Sequence, residues 1–494
     1  MIRNNSIRIA LFYIVSISFI LLNLYFVVKK DSMLINALPV VLGVFLLAVF
    51  SFDKLIWFVA FFAPLSLPLR EIMPSVGFDM YLPTEPLLFG VFILFMLKVI
   101  QERKFDRNIL LHPVSMAIYI NLIWIFLTSL TSTMPVVSFK FLLARMWFVV
   151  CLYLLTVKIF KGGRKMEQYV WLYLIGFLVV VFYSTYRHWG YGLWDKQAAH
   201  YVVSPFYNDH TSYGAAIAMY LPFAAMFAFS RHYSQKIKNA GLVVFGILLI
   251  ALVLSYSRAA WVSMVAALIV WSIIKLKIRF QPIFITAIVV IAFVLSFQHQ
   301  ILMHLERNSD ESSSNLMEHV SSISNISSDA SNLERINRWS SAIRMFEDKP
   351  VFGYGPGTYM FQYAPYQLSR ERTIISTNVA DGGNAHSEYL GPLSESGVLG
   401  LVTFLIIIIM VLYTGIHAYS RLKDSRLRSI VLAAIVGLVT YYVHGFLNNF
   451  LDTDKLSVPF WGFTAMIVAA DIYSRREEKT ANEAQKNPAS QKPD

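Results

Sequence analysis

Charge is scarce in this chain of 494 residues: Asp, Glu, Lys and Arg together make up 15% of it. A soluble protein of ordinary composition carries about 25%. Cysteine is scarcer still, with Cys151 alone inside an apolar run. That excludes an intrachain disulfide and a thiolate metal cluster, and leaves Cys151 as a small buried hydrophobe. No His-Glu-x-x-His spacing occurs among the outward histidines His188, His200, His210 and His304, and no Asp-x-Asp pair lies in an outward loop. A metal-held nucleotide sugar therefore has no motif to recommend it. What the chain has instead is apolar surface, 56% hydrophobic residues with a mean hydropathy of +0.56. One core cannot hide that much, so lipid must cover it.

The net charge of +12 does not point to nucleic acid. The cations sit in short clusters between apolar runs, as cytoplasmic loops do. Arg103/Lys104/Arg107, Lys158/Lys161/Arg164/Lys165, Arg231/Lys236/Lys238, Lys275/Lys277/Arg279 and Arg421/Lys423/Arg426/Arg428 separate alternate pairs of runs. All of them can face one side, which predicts cytoplasmic termini. The first apolar stretch lacks a small-residue cleavage site and reads as a retained helix. With about 20 apolar residues needed per crossing, the chain is expected to be an all-α polytopic membrane protein of about 12–14 transmembrane helices. Leu34–Phe50 and Leu55–Leu69 are short enough for a re-entrant pair. The expected organisation is an N-terminal bundle over 1–299, a large outward loop over 300–396, C-terminal spans over 397–473 and a disordered cytoplasmic tail over 474–494.

The long loop is not uniform. Asn308–Asp329 is rich in Ser and Asn and reads as flexible. Ser331-Asn-Leu-Glu334 is a capping-box pattern, and Ile336, Trp339, Ile343 and Phe346 then recur at helical spacing. This predicts an amphipathic helix, ended by Pro350, lying on the membrane surface or over the bundle. Gly353-Tyr-Gly355-Pro-Gly357 follows as a turn that admits close backbone approach.

Outward cations work against the orientation rule and need a reason. Arg258, in the hairpin Ser255-Tyr-Ser-Arg-Ala-Ala-Trp261, either snorkels or pairs with the phosphates of a lipid-linked donor. Arg335 and Arg338 form either a solvated helix face or part of a cationic cleft with Arg258. Lys140 and Arg145, at the start of a span, either snorkel or support that cleft. Trp339 packs on lipid or core, or stacks on a sugar. His386, in Asn384-Ala-His-Ser-Glu388-Tyr-Leu390, is the best candidate for proton transfer, since imidazole titrates near 6.5. A structural histidine is the plainer alternative.

Taken in order, Ser257–Trp261, Arg335-Ile-Asn-Arg-Trp339-Ser-Ser-Ala342, Pro350–Tyr359 and His386-Ser-Glu-Tyr-Leu390 resemble the O-antigen ligase and polymerase superfamily of bacterial membrane glycosyltransferases. The ligase pattern of His, a small polar residue, nine residues, Gly and a second Gly three further on reads here as His386, Ser387, Gly397 and Gly400. The Thr-Thr that often follows is replaced by Leu401-Val402. The resemblance implies a C-type glycosyltransferase-like fold in the bacterial inner membrane, with the large loop periplasmic. It implies a metal-independent, inverting transfer without cofactor. The glycan would pass from undecaprenyl pyrophosphate to lipid A–core or a growing glycan. His386 would be the base and Arg258 and Arg335 would hold the pyrophosphate. Arg338 stands outside the family's core pattern but shares the helix. Lys140, Arg145, Trp339, Asn384 and Glu388 would be supporting residues, with membrane lipids as surroundings and no nucleic acid.

Ligase and polymerase share a donor, and one sequence separates them poorly. The histidine–glycine spacing favours ligase and the missing Thr-Thr weakens that preference. A transporter would place polar groups at mid-bilayer and show repeated halves. Here the informative polar residues gather at the outward end, and no internal repeat is seen.

Overall fold

The computed structural model describes residues 2–30, 52–72, 80–102, 105–160, 163–278, 330–369, 376 and 383–486. The expected spans Leu34–Phe50 and Pro282–Phe297 and the Ser/Asn-rich entry Asn308–Asp329 lie outside the described residues. The described chain is helical apart from one pair of two-residue antiparallel strands, Leu67–Pro68 with Tyr81–Leu82. Ten of its helices are long and apolar enough to cross a membrane.

The long helices are α1 (Ile2–Lys30), α2 (Phe52–Phe62), α3 (Thr84–Glu102), α4 (Pro113–Leu130), α5 (Pro135–Ile159), α6 (Gly163–Tyr191), α7 (His210–Phe229), α8 (Gln235–Leu254) and α9 (Arg258–Leu276). After the undescribed stretch come α10 (Ala330–Asp348), α11 (Leu390–Arg421), α12 (Ser425–His444) and α13 (Asp454–Lys486). Successive crossings put the connections 131–134, 192–209, 255–257 and 445–453 at one end with α10. The cationic connections fall at the other end. We call these the site end and the basic end.

Three helices form the centre. The apolar windows of α7, α12 and α13 are 78, 83 and 89% buried, against 22–39% for α3, α4, α8, α9 and α11. The outer helices keep exposed leucine, isoleucine and phenylalanine on their far faces, as lipid requires. Central α7 is poor in charge and rich in Ala, so its neighbours approach closely. At Gly214 an added Cβ would lie 2.7 Å from Ser257 Cβ, so α7 and the start of α9 touch there.

Ion pairs lock the basic end. Asp471 is fully buried and accepts from His112 at 3.1 Å, from Arg475 at 2.7 Å and from Arg421. Glu167 takes Arg426 and the Tyr233 hydroxyl. These contacts join α4, α11 and α13, and then α6, the α7–α8 connection and α12.

Two expectations need correcting. The tail was expected to be disordered from residue 474, but α13 runs on to Lys486. Its Ala, Glu, Lys and Gln are good helix formers, and the first proline is Pro488. The span expected from Val398 begins at Leu390 and is broken at Gly397, with φ 68° and ψ −170°. Hydropathy alone misses this first stretch because Ser394, Glu395 and Ser396 interrupt it.

Candidate active site at one end of the bundle

The break at Gly397 is where the loop docks. Val398 N–H donates to Pro350 O at 3.0 Å, and Gly355 N–H donates to Glu395 O at 2.8 Å. The half-buried Glu395 carboxylate accepts from the N–H groups of Gly357 and Tyr359, each at 2.9 Å. An added Cβ on Gly397 would sit 2.0 Å from Val351 O. The glycine turn and the helix break are therefore one device, and Gly397 is where backbone meets backbone.

Helix α10 lies on α11. Its inward face is Glu334, Asn337, Arg338, Ser341, Ala342 and Met345, all buried. Ile336 and Ile343 are exposed on the other side. The expected capping box does not form in the expected way. The helix starts at Ala330, and Glu334 turns to Arg338 and Ser376. Buried polar groups must find partners, and here they find the loop itself. Asn337 donates to Gln367 at 2.8 Å, and the Tyr359 hydroxyl donates to Arg338 O at 2.8 Å.

His386 stands at the edge of this polar layer. Its φ is 48°, a left-handed conformation that costs a residue with a Cβ roughly 1–3 kcal/mol. Local bonds hold it there. Its N–H donates to Asn384 Oδ1 at 3.0 Å, and its carbonyl accepts from Trp339 Nε1 at 3.3 Å. Among the described residues no hydrogen bond reaches its ring. Burial and the Arg335 and Arg338 charges pull the imidazole down to about 4, against the opposing pull of Asp209 and Glu334. The ring is neutral at pH 7 and able to accept a proton.

Glu388 anchors the same segment. Its carboxylate accepts from the Tyr441 hydroxyl at 2.6 Å and from Phe450 and Leu451 N–H at 2.8 and 2.9 Å. Its own N–H donates to Gly445 O at 2.8 Å. Burial and nearby Asp452 push this carboxyl up, and Arg145 opposes them. Arg145 itself reaches Asp452 at 3.4 Å and lies over Phe141. It thus braces the 445–453 connection. Lys140 is exposed on α5.

The two remaining arginines differ from Arg338. Arg338 is held by Glu334 at 2.7 Å, stacked 4.4 Å from the Tyr363 ring centroid, and aimed at Asn384 O at 3.5 Å. Its guanidinium is occupied with the protein. Arg335, one turn earlier, and Arg258, at the first turn of α9, are both half-buried. Each acts electrostatically on the His210 ring, and Arg335 also acts on His386 and His444. The Gly214–Ser257 contact, one turn below His210 and one residue before Arg258, gives the geometric reason.

Sequence reading missed part of this cluster. Asp209 caps α7, accepting from Thr211 and Ser212 N–H at 2.8 and 2.7 Å. Burial raises its carboxyl, but those bonds and His210 hold it below the usual range. The His210 ring meets the His200 ring at a tilt of 58°, with centroids 4.0 Å apart. His444 is fully buried, and its Nε2 lies 3.1 Å from Asn448 Nδ2. The Nδ1 atoms of His210 and His444 are buried without a hydrogen-bond partner. The signal available was position: His210 opens a span and His444 closes one, both at the site end. Among the described residues no three His, Cys, Asp or Glu side chains are grouped to hold a metal ion.

No curated protein matches the chain. Residues 243–405 match a family model described as O-antigen ligase. That stretch contains Arg258, α10, the glycine turn, His386 and the Gly397 break, so the similarity to O-antigen ligases covers most of the candidate site.

Proposed function

We propose that this membrane enzyme transfers a glycan from a polyprenyl-pyrophosphate donor, undecaprenyl pyrophosphate in bacteria, to an acceptor hydroxyl. The acceptor is lipid A–core in the ligase reading. The site end faces the periplasm, with the basic end and the termini in the cytoplasm of an inner-membrane protein. The observation that carries this reading is that Arg335 bears both on the His386 ring, left open for a proton, and on the His210 ring, where Arg258 also bears.

In the proposed reaction the acceptor oxygen attacks the anomeric carbon from the face opposite the pyrophosphate. The new C–O bond forms as the bond from that carbon to the pyrophosphate oxygen breaks, which inverts the centre. The hydroxyl proton passes to His386. The electron pair leaves with the polyprenyl diphosphate, and Arg258 and Arg335 stabilise its developing charge. Diphosphate is a good leaving group, so cations matter more there than an acid. Arg338, Trp339 and Asn384 position the histidine, while Glu388 and Arg145 hold its support. Lys140 keeps a peripheral role at most.

Glycan transfer by the purified full chain from a synthetic polyprenyl-pyrophosphate donor tests this. His386→Ala is expected to lose roughly 100-fold or more, and Arg335→Ala to lose activity comparably. Full activity in both folded variants overturns the site. The absent Thr-Thr after Gly400 weakens the preference for a ligase and keeps a second reading, a polymerase, open. Deletion in the host separates the two: stranded polymer on the carrier lipid marks a ligase, and surface lipid bearing a single repeat marks a polymerase.

A further inference from the structure

The basic end holds a concavity that glycan transfer does not use. It encloses about 350 Å³ between the corner leading into α4 and the last turns of α13. Small-molecule sites span roughly 300–1,000 Å³. Ile472, Arg475, Arg476 and Lys479 line one wall, and Arg107 and Leu111 line the other. The α13 residues recur at i, i+3, i+4 and i+7, which is one helix face. Glu477 and Glu478 fall off that face. Four cations thus converge, and no carboxylate lines the cavity.

The nearest carboxylates do not cancel this charge. Asp471 binds Arg475 at 2.7 Å but is shared with His112 and Arg421. Asp106 reaches Arg476 at only 3.4 Å in an exposed pair, which contributes little. Arg107 is exposed and has no ion-pair partner among the described residues. The walls also have an apolar edge, because Leu111 is 68% exposed beside the first turn of a membrane span. Arginine forks bind phosphate oxygens in pairs, and an apolar rim at the span's end suits acyl chains.

We propose that this cavity is a binding site for the phosphate of an anionic phospholipid headgroup, with its acyl chains running down the exposed face of α4. Phosphate chemistry alone also admits a free phosphate, but the exposed leucine at the rim and the position at the span ends favour the lipid. A bound lipid of this kind staples α4 to α13, two helices already joined through His112 and Asp471.

The test uses the full chain in neutral detergent. Retention of phosphatidylglycerol is measured by native mass spectrometry, and thermal unfolding is followed with phosphatidylglycerol, phosphatidylcholine or inorganic phosphate added. Phosphatidylglycerol is expected to be retained and to raise the unfolding midpoint, while phosphatidylcholine is not. The double variant Arg107→Gln/Arg476→Gln should bind about 30-fold more weakly. Each basic residue at a lipid surface contributes about 1 kcal/mol, and 1.4 kcal/mol is tenfold. Arg107→Gln alone breaks no ion pair and should show a partial loss with an unchanged midpoint in lipid-free detergent. Arg231→Gln/Lys236→Gln, at the same end but outside the cavity, should bind as the native chain does. Equal loss in that control overturns the site in favour of diffuse attraction. Stabilisation by inorganic phosphate without lipid retention overturns the lipid assignment. Glycan transfer is not the readout, so either failure leaves the proposed reaction standing.

Discussion

At the scale of single residues, the two arginines of α10 make opposite predictions. Arg338 is paired and stacked inside the protein, while Arg335 faces the histidines. Arg338→Ala takes the arginine charge away from the buried Glu334 carboxylate, at a cost of about 3 kcal/mol. It should lower the unfolding midpoint and speed amide exchange over 330–369. Arg335→Ala should lose transfer with little change in either measurement. His386 adds a pH signature. Its imidazole sits near 4, through burial and then the charges of Arg335 and Arg338. The acid limb of kcat/KM, which reports the free enzyme, should therefore fall near pH 4. Bound pyrophosphate offsets the arginine charges, so the imidazole rises and the limb of kcat should lie at higher pH. Coincident limbs at the ordinary histidine value would contradict this. The sequence displayed these residues but not their division of labour. Arg335 and Arg338 differ by one turn, and only the packing of Tyr363 and Glu334 separates them.

At the scale of elements, α11 carries the most information. Its break lets loop backbone enter beside a membrane span and have its N–H and carbonyl groups satisfied there. Gly397→Ala places a methyl group 2.0 Å from Val351 O at a backbone conformation nearly reserved for glycine. The expected cost is roughly 3 kcal/mol or more, with transfer lost although every candidate residue is present. An unchanged unfolding midpoint for that variant would show that the junction yields easily. The His–Ser–x9–Gly pattern thus acquires a physical reading, because it spaces a left-handed histidine from the break that receives its loop. Hydropathy located the described spans, because lipid leaves that mark on composition. It could not tell which face of α10 turns inward, because amphipathicity tells which side avoids water, and at a membrane surface that side can be the outer one.

At the scale of the whole molecule, the site is assembled from distant parts of the chain. His210, Arg258, Arg335, His386 and His444 come from five segments, held by α7–α9 contact, by α10 on α11, and by the Glu388 clamp to the α12–α13 connection. Composition could show an outward cluster of polar residues but not which of them meet, because convergence depends on helix packing that one-dimensional spacing does not encode. Asp209 and His444 were hidden for this reason. The small apolar cluster of the loop, Ala342, Met345, Tyr354, Tyr359, Tyr363 and Ala385, is also too slight to hold a fold by itself.

The polar inward face of α10 bears on how the protein is made. The ribosome delivers Glu334, Asn337 and Arg338 well before the surface they will lie on, since α11 begins at Leu390. Until the last three helices arrive, this polar stripe belongs in water and its isoleucines against lipid, so the nascent segment waits at the membrane surface rather than folding. A chain ended after Tyr389 should therefore contain Arg258, Arg335 and His386 yet exchange the amides of α10 as fast as an open peptide. Co-expression of 390–494 as a separate piece should restore their protection. Slow exchange in the shortened chain would show instead that α10 matures without its support.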